Sequence, residues 1–380
     1  MKYLAFYDTV ENRAEKRNCV LSSANKLRYI FTCLERLQIP CEILSASGTK
    51  GKKSVKKKEV KLSECLTLKL PFSFGQKNKF CLLCDMIQLK AHLLLELLKI
   101  SRDETLIVYH SLFYMSLVKL AKKIKKFQLI LEVEEIYGDV MEKRKVSAKE
   151  LRYFSTADRY IFPTILLNDK INKENKPYAI IHGTYQVEEP LGESIFGAEQ
   201  ETLHCVYAGT FDPRKGGAFA AIAAAEFLPE NFHIHILGFG CSEEIQSIKQ
   251  AIEETKQKAK AKISYDGCLS GEDYIRFLQS CQIGLSTQNP TAAFNDTSFP
   301  SKILSYMANG LKVVSVRIHA IENSSIGDYM CYYEEQTSEN IAKAIISAAN
   351  TLKDYDGRAI ISQLDEQFNQ EIKSLLMKGE

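Results

Sequence analysis

The hydrophobic positions of the chain alternate between short β-branched runs and longer segments with apolar residues at helical spacing. In the first half, this pattern predicts strands at residues 2–7, 41–45, 66–74, 105–110, 128–133, 159–163 and 178–181. Helices are predicted between them, notably over residues 25–37, 86–100 and 112–125. A regular alternation of strands and helices predicts a parallel sheet with right-handed crossover connections.

The alternation restarts after residues 186–202, which show no periodicity and contain Pro190, Gly192 and Gly197. Beyond them, strands are predicted at residues 203–207, 232–237, 262–265, 282–286 and 311–316, with helices between them and over residues 341–352 and 355–377. A length of 380 residues suits two domains. We therefore predict α/β domains at residues 1–185 and 203–354, a linker at residues 186–202 and a final helix at about residues 355–380.

The charge is unevenly divided in a chain whose composition, 45% hydrophobic and 26% charged, is that of a globular protein. Residues 1–200 carry 34 Lys and Arg against 24 Asp and Glu, and residues 201–380 carry 16 against 23. Seven of the 13 residues from Thr49 to Lys61 are lysines, and we call this the lysine-rich segment. It is either a solvated loop or, from Lys50 to Lys61, a surface for anionic lipid head groups. Nucleic acid fits less well, because no aromatic residues are interleaved for stacking.

Three features of the sequence bear on location. No run of 18 apolar residues occurs, and the first ten residues, MKYLAFYDTV, become polar too soon for a signal peptide. The 11 cysteines follow no framework spacing. We therefore expect a cytoplasmic protein with reduced cysteines, associated at most peripherally with the inner face of the cell membrane. The apolar helix over residues 86–100 either buries a packing face or lies on a bilayer.

Two segments of the second domain have the residue types of a phosphate site. AGTFDPRKGG, residues 208–217, follows a predicted strand and opens a helix. Its Gly209 permits a close approach to the backbone, and Arg214 and Lys215 offer cations at the next helix start. A basic surface turn is the alternative interpretation.

The second segment, residues 294–315, predicts a polar loop, a short helix and a buried strand. Pro300 suits the first helical turn, Ser298 or Thr297 can cap it, and Gly310 stands where a helix would end. Lys302 adds a full charge near the helix start, where unpaired N–H groups favour anions. An ordinary helix–strand unit is the alternative.

Together, AGTFDPRKGG, ILGFG, YDGCLSGEDYIRFLQSCQIGLS and FPSKILSYMANGLKVVS stand in the order seen in retaining glycosyltransferases of family 4, the group 1 type. The chain resembles this family, in the form associated with bacterial capsule, exopolysaccharide and O-antigen clusters. The resemblance implies GT-B architecture: two Rossmann-like parallel-sheet domains facing a cleft, with the C-terminal helix crossing back to the first domain. It covers residues 203–350 well, and over residues 1–185 only the general organisation matches.

The resemblance also implies the donor site. The diphosphate is expected at Gly209, Thr210, Arg214, Lys215, Ser298, Ser301 and Lys302, and the nucleoside at Gly238, Cys268, Leu269 and Ser305. The sequence departs from the family at three positions. Thr210 stands where the family has a basic residue, and Thr297 and Ser305 stand in place of its two glutamates. Because the second glutamate binds the donor ribose, Ser305 leaves ribose binding and nucleotide choice open.

In the first domain, the resemblance places a catalytic acidic residue after a strand end, where Glu134 and Glu135 stand. Such a glutamate would orient the acceptor or shield positive charge at the anomeric carbon. A strand-end carboxylate that caps a helix is the alternative. His110 and His182 also follow strands and are expected to be structural. No metal-ligand cluster is apparent, so we expect no metal and no bound cofactor, with a UDP- or GDP-sugar as substrate.

The function implied is transfer of a hexose, with retention of configuration, from a nucleoside diphosphate sugar to a lipid-linked oligosaccharide in bacterial surface polysaccharide synthesis. The alternative is a catalytically silent GT-B partner subunit that binds a glycosyltransferase or an acceptor. The lost glutamate pair favours the silent subunit, and the retained Lys215 and FPSK segment count against it. An epimerase of the same architecture is less favoured, because its histidine and glutamate signatures are not evident.

Overall fold

A computed structural model describes residues 1–9, 14–141, 143–197, 202–212, 216–290, 295 and 298–377. The chain divides into two compact units, each with its own sheet. The first unit comprises residues 1–182 and 368–380, and the second comprises residues 183–367. In the part of the chain that the structure describes, no helix is both long enough and apolar enough to cross a membrane.

The described residues of the first unit form eight strands and six helices before the chain enters the second unit. They are β1 (Lys2–Ala5), α1 (Leu21–Arg36), β2 (Cys41–Ser45), β3 (Lys58–Lys61), β4 (Leu66–Leu70), α2 (Lys79–Leu98), β5 (Thr105–Tyr109), α3 (Met115–Lys125), β6 (Gln128–Glu132), α4 (Tyr137–Val140), α5 (Arg144–Phe154), β7 (Arg159–Phe162), α6 (Ile165–Ile171) and β8 (Tyr178–Ile180).

The sheet of this unit has the order β3-β4-β2-β1-β5-β6-β7-β8 and is parallel except for β3. Its strands are buried, for example Tyr3, Leu4 and Ile107, because helices cover a parallel sheet on both faces. The strand order reverses between β1 and β5, where the connections leave in opposite directions. Ligands of open α/β sheets bind at the carboxyl ends of the strands at such a point.

The lysine-rich segment differs from the loop interpretation in its last four residues. Lys58–Lys61 form β3, an antiparallel edge strand on β4 in which Val60 is the register partner of Leu68. Lysines discouraged a strand prediction, yet an edge position tolerates them because their side chains reach water. The segment before it carries exposed lysines at positions 50, 52, 53, 56 and 57.

In the second unit, six strands and seven helices are found among the residues that the structure describes. They are β9 (Leu203–Thr210), α7 (Gly217–Ala224), β10 (Phe232–Phe239), α8 (Ser242–Lys256), β11 (Lys262–Gly267), α9 (Glu272–Gln279), β12 (Ile283–Ser286), α10 (Lys302–Ala308), β13 (Lys312–Val316), α11 (His319–Glu322), β14 (Cys331–Tyr333), α12 (Ser338–Asn350) and α13 (Gly357–Met377), with short 3₁₀ turns at Ala225–Phe227, Gly327–Tyr329 and Leu352–Asp354.

The second sheet is wholly parallel, with the order β11-β10-β9-β12-β13-β14. This is the doubly wound order of a Rossmann domain, and its reversal lies between β9 and β12. Helix α13 starts in the second unit and is assigned to the first from Phe368 onward, where Phe368 stacks on Tyr29. The predicted fold class, two Rossmann-like α/β domains with a helix returning to the first, is confirmed.

Candidate functional site

The reversal point of the second sheet gathers the two segments that the sequence marks. Gly209 and Thr210 end β9, and Thr287 follows β12 directly. The buried Thr287 hydroxyl donates a hydrogen bond to the Gly217 carbonyl oxygen at 2.7 Å, at the beginning of α7. The carboxyl ends of both central strands therefore lie beside the helix that follows AGTFDPRKGG.

Lys302 lies over this edge of the sheet. Its Nζ is 3.9 Å from the centroid of the Tyr207 ring, and the side chain is half-buried. A Cβ atom added to Gly209 would lie 3.0 Å from the same Nζ. An ammonium group held against a glycine at the end of a parallel strand offers charge and an open backbone to an anion.

Tyr306 fixes the helix that carries this lysine. Its hydroxyl accepts a hydrogen bond from the Ala208 backbone N–H at 2.8 Å and donates one to the Leu285 carbonyl oxygen at 3.4 Å. The ring occupies the space that a side chain at Gly284 would need, since a Cβ there would come within 2.3 Å of it. Tyr306 thus joins α10 to β9 and β12, and Lys302 stands one helical turn earlier on the same face.

The start of α10 differs from the prediction. The helix begins at Lys302, with Ser301 at the N-cap and no hydrogen bond from its side chain to the helix. Ser298 and Pro300 precede the helix as half-buried loop residues, and Ser301 is exposed. The predicted end is confirmed, because Gly310 has a φ of +88° and its N–H bonds to the Met307 carbonyl oxygen. The later start leaves Lys302 as the first helical residue.

Arg214, Lys215 and Thr297 lie outside the described residues. Beside the gap, a cavity of about 420 Å³ is lined by Thr210, Phe211, Asp212, Phe239, Gly240 and Glu244. Glu244 is already engaged in a capping box, since its Oε2 accepts from the Cys241 N–H at 2.8 Å. The described part of the first motif contributes backbone at Gly209 and Thr210.

The surroundings of Gly238, in the ILGFG motif, leave no room for a side chain at this position. Its φ is +152°, and a Cβ added there would lie 1.9 Å from the Gly209 carbonyl oxygen. Only glycine permits so close an approach of two backbones. The turn after β10 is therefore packed directly on the glycine that ends β9.

The remaining nucleoside residues lie on two further elements. Gly267, with a φ of +85°, ends β11 and is followed by the exposed Cys268 and the half-buried Leu269. Ser305 lies on α10, and its hydroxyl interacts with Tyr274 of α9. The structure joins Gly209, Gly238 and Lys302 by close contacts.

In the first unit, Glu134 belongs to a cluster of charged side chains, with Lys26 and Glu132, that is not apparent from the sequence. Lys26 of α1 pairs with Glu134, donates to the Ile181 carbonyl oxygen at 3.1 Å and lies 3.9 Å from Glu132 Oε1. The Tyr3 hydroxyl donates to the other oxygen of Glu132. One signal was present, because Glu132 is a carboxylate inside the apolar strand LILEV.

Burial sets the ionisation of this cluster. Glu132 is wholly buried, and burial together with the nearby Glu134 raises its pKa to about 7, against the opposing charge of Lys26. Glu134 keeps a quarter of its side chain exposed. Glu135 is half-buried on the next position of the chain. Glu134 and Glu135 are therefore both partly exposed carboxylates after the end of β6, whereas Glu132 is buried.

His110 and His182 each have defined partners. His110 Nε2 lies 2.7 Å from Glu150 Oε1, and Glu150 also accepts from the N–H groups of Tyr137 and Gly138. His182 Nδ1 lies 2.7 Å from the Pro163 carbonyl oxygen, and burial lowers its pKa to about 4. Both contacts agree with a structural role.

One group of possible metal ligands forms only through the fold. The sequence showed no metal-ligand cluster, yet the second sheet brings the side chains of His204, His233 and His235 together. Strand pairing between β9 and β10 causes this, and spacing along the chain did not reveal it.

Comparison with known proteins finds one family model that matches part of the second unit. Residues 202–351 match the family model described as "Glycosyl transferases group 1". A search of curated protein sequences finds no match.

Solved structures agree over nearly the whole chain, at low sequence identity. An OtsA apo structure has a TM-score of 0.70 at 11% identity, covering 99% of each chain. Anabaena HepE in complex with UDP and glucose has a TM-score of 0.66 at 13% identity, covering 99% of each chain. Sucrose-phosphate synthase from Thermosynechococcus elongatus has a TM-score of 0.67 at 13% identity, covering 99% of this chain and 98% of that one. The chain therefore has the fold of the GT-B glycosyltransferases, and the resemblance to the group 1 family is confirmed, with the sequence match in residues 202–351.

Proposed function

We propose that this chain is a hexosyltransferase that uses a nucleoside diphosphate sugar and retains the configuration of the sugar. The acceptor is a lipid-linked oligosaccharide, and the setting is bacterial surface polysaccharide synthesis at the cytoplasmic face of the membrane. The observation that carries this proposal is the position of Lys302 over Tyr207 and against Gly209, at the carboxyl end of β9.

Three features support a donor site here. The strand order reverses between β9 and β12, the family match covers this unit, and two glycines bring backbone to the strand ends. Lys302 would pair with the diphosphate, together with Ser298, Ser301, Arg214 and Lys215. Gly238, Cys268, Leu269 and Ser305 would contact the nucleoside. Among the solved structures, the HepE complex contains UDP and glucose.

In the proposed reaction, the bond between the anomeric carbon and the diphosphate oxygen breaks, and an acceptor oxygen bonds on the same face. The acceptor proton passes to the leaving diphosphate, whose charge Lys302 stabilises. Glu134, or its neighbour Glu135, would orient the acceptor or balance positive charge at the anomeric carbon. Glu134 already pairs with Lys26, so a cation stands beside the carboxylate at this position.

The membrane part of the proposal rests on a surface of the first unit. At the start of α2, Phe80, Leu83 and Ile87 are 72%, 52% and 60% exposed and share one helix face. The lysine-rich segment packs against the loop that leads into α2, since a Cβ on Gly75 would meet the Lys52 carbonyl oxygen at 2.1 Å. Exposed apolar side chains beside a lysine cluster fit an anionic lipid bilayer.

Titration calorimetry with UDP and GDP tests the donor site. The full-length chain is expected to bind one of the two, and Lys302→Met is expected to bind it at least tenfold more weakly. Lys312→Met is the matched control, because Lys312 Nζ lies 4.3 Å from the Tyr355 ring in the same unit but at the beginning of β13. Equal affinity of the two variants would contradict the placement of the donor.

A silent partner subunit is the second candidate, and Ser305 in place of the family's second glutamate favours it. A carboxylate at this position would offer stronger acceptors to a ribose than the serine hydroxyl does. A silent subunit need not bind either nucleotide. Absence of heat with both UDP and GDP would therefore support this candidate over the transferase.

A further inference from the structure

Three histidines converge on one face of the second sheet, away from the strand ends that carry the donor proposal. His204 is the second residue of β9, and His233 and His235 are the second and fourth residues of β10. His204 and His233 are register partners, so all three side chains project from the same face. Gly209 is five positions after His204, a distance of about 16 Å along a strand.

The nitrogen atoms are spaced as ligands of one ion would be. One ligand atom from each of the three histidines lies within 4.8 Å of the other two. His204 Nδ1 and His235 Nε2 are 2.9 Å apart, and the rings of His233 and His235 have centroids 3.8 Å apart. Zn–N bonds of 2.0–2.1 Å in a tetrahedral site place ligand nitrogens roughly 3.3 Å apart. Because the rings of His233 and His235 lie nearly face to face, rotation of their side chains would be needed to direct all three nitrogens at one ion.

The neighbours of the histidines orient their rings. His235 Nδ1 lies 3.2 Å from Asp266 Oδ2, which leaves Nε2 directed at His204. The Ser264 hydroxyl donates to Asp266 at 2.8 Å and lies 2.9 Å from His233 Nε2. A carboxylate on the far nitrogen is the usual outer partner of a metal-binding histidine, because it fixes the ring and makes the ligand more basic.

Two phenylalanine rings pack against the histidines. The ring of Phe196 stacks on His204 and His235, with centroid distances of 4.0 Å and 4.7 Å. Phe277 of α9 meets His235 edge-on. The phenylalanines lie against the ring faces, whereas a metal binds in the ring planes, so stacking and coordination are compatible. Such a shell limits the access of water to a site.

We propose that His204, His233 and His235 bind one divalent transition-metal ion of the zinc class, with Asp266 as the outer partner of His235. Three imidazole ligands suit zinc and its neighbours rather than magnesium or calcium, which prefer oxygen. The ion would join β9, β10 and, through Asp266, β11. It would stabilise the second unit without taking part in sugar transfer.

Metal titration of the full-length chain, free of any histidine tag and stripped with a chelator, tests this proposal. Calorimetry is expected to give one equivalent of Zn²⁺ per chain, and added Zn²⁺ is expected to raise the Tm. Co²⁺ is expected to give the visible spectrum of a tetrahedral site with nitrogen and oxygen ligands. Less than half an equivalent of Zn²⁺, or a thiolate-to-cobalt band from cysteine ligands, would overturn the proposal.

Variants locate the ion. His235→Gln and His233→Gln are each expected to weaken Zn²⁺ binding at least tenfold and to lose the Co²⁺ spectrum. His233 is only half-buried, so its variant keeps the assay interpretable if His235→Gln fails to fold. His319→Gln is the control, because His319 has 80% of its side chain exposed on α11 of the same unit. Unchanged Zn²⁺ affinity in His233→Gln would exclude this site.

Discussion

The Tyr306 hydroxyl accepts a hydrogen bond from the Ala208 backbone N–H at 2.8 Å, and this contact positions helix α10 on the strand that ends in Gly209. Lys302 lies one turn before Tyr306 on that helix, so the bond places a cation above the strand end. Without the hydroxyl, the buried N–H of Ala208 would have no acceptor from α10.

Tyr306→Phe is therefore expected to lower the free energy of unfolding of the second unit by about 1–3 kcal/mol, the usual cost of an unsatisfied buried donor. Nucleotide affinity should fall as well, because Lys302 loses its fixed position. Denaturant unfolding and calorimetry measure the two effects. Tyr329→Phe, at a side chain that is 40% exposed, provides the comparison and should change neither quantity.

Gly238→Ala is expected to destabilise the chain strongly. The added Cβ would lie 1.9 Å from the Gly209 carbonyl oxygen, so the turn after β10 must move away from the end of β9. Gly192→Ala is the matched control, because Gly192 has a φ of +98° but no atom within 4 Å of a Cβ. The control should lose about 1–2 kcal/mol from backbone strain alone. A loss in Gly238→Ala no larger than that would argue against the close packing of the two strand ends.

Glu132 is expected to make stability depend on pH. Burial and Glu134 raise its pKa to about 7 from the ordinary 4.5 that applies in the unfolded chain. Between these values the folded chain holds a proton that the unfolded chain has lost. The free energy of unfolding therefore falls as the pH rises from about 4.5 through 7. The stabilisation that the protonated Glu132 carboxyl gives to the folded chain is fully present only below this window.

Glu132→Gln should remove this dependence. The difference in free energy of unfolding between Glu132→Gln and the wild type should therefore be more favourable to the variant above pH 7 than at pH 4. Denaturant unfolding at several pH values measures the difference between the two proteins. Glu174→Gln, at a side chain that is 67% exposed, should track the wild type at every pH. A difference between wild type and Glu132→Gln that does not change with pH would show that the buried carboxyl does not titrate in this window.

The lysine-rich segment is expected to bind anionic vesicles. Replacing Lys52, Lys53, Lys56 and Lys57 by Gln should weaken cosedimentation with phosphatidylserine vesicles at least tenfold, since each lysine near such a leaflet contributes about 1 kcal/mol. Added salt should weaken the wild type in the same way.

The control for this experiment removes the same charge elsewhere in the first unit, at the exposed residues Lys143, Lys145, Lys149 and Lys173. It should bind vesicles as the wild type does. Equal loss in both quadruple variants would mean that net charge, rather than this segment, drives binding. Vesicle binding that neither quadruple replacement weakens would contradict a membrane-binding surface on the lysine-rich segment.

The sequence predicts those parts of the structure that depend on local pattern. Every strand of the first sheet except β3 follows from a short apolar run, and Gly310 ends α10 as its position indicates. The start of α10 does not follow from local pattern alone, because Ser298 and Pro300 are compatible with several helix starts. In the structure, the helix begins at Lys302. Local signals therefore locate elements better than their ends.

Parts that depend on contacts between distant residues could not be read from the sequence. Lys26 meets Glu132 and Glu134 only because α1 packs beside β6, more than 100 positions away. His204 meets His233 and His235 only because β9 and β10 pair in one register. Neither cluster has a characteristic spacing along the chain. Both require the fold before their chemistry can be recognised.

The central claim is that this chain transfers a hexose from a nucleotide sugar held at Lys302. The most direct measurement is hydrolysis of a panel of UDP- and GDP-hexoses by the wild type, Lys302→Met and Lys312→Met. We predict turnover of at least one donor by the wild type and by Lys312→Met, and a loss of at least tenfold in Lys302→Met. No turnover of any donor by the wild type, or equal turnover by both lysine variants, would contradict it.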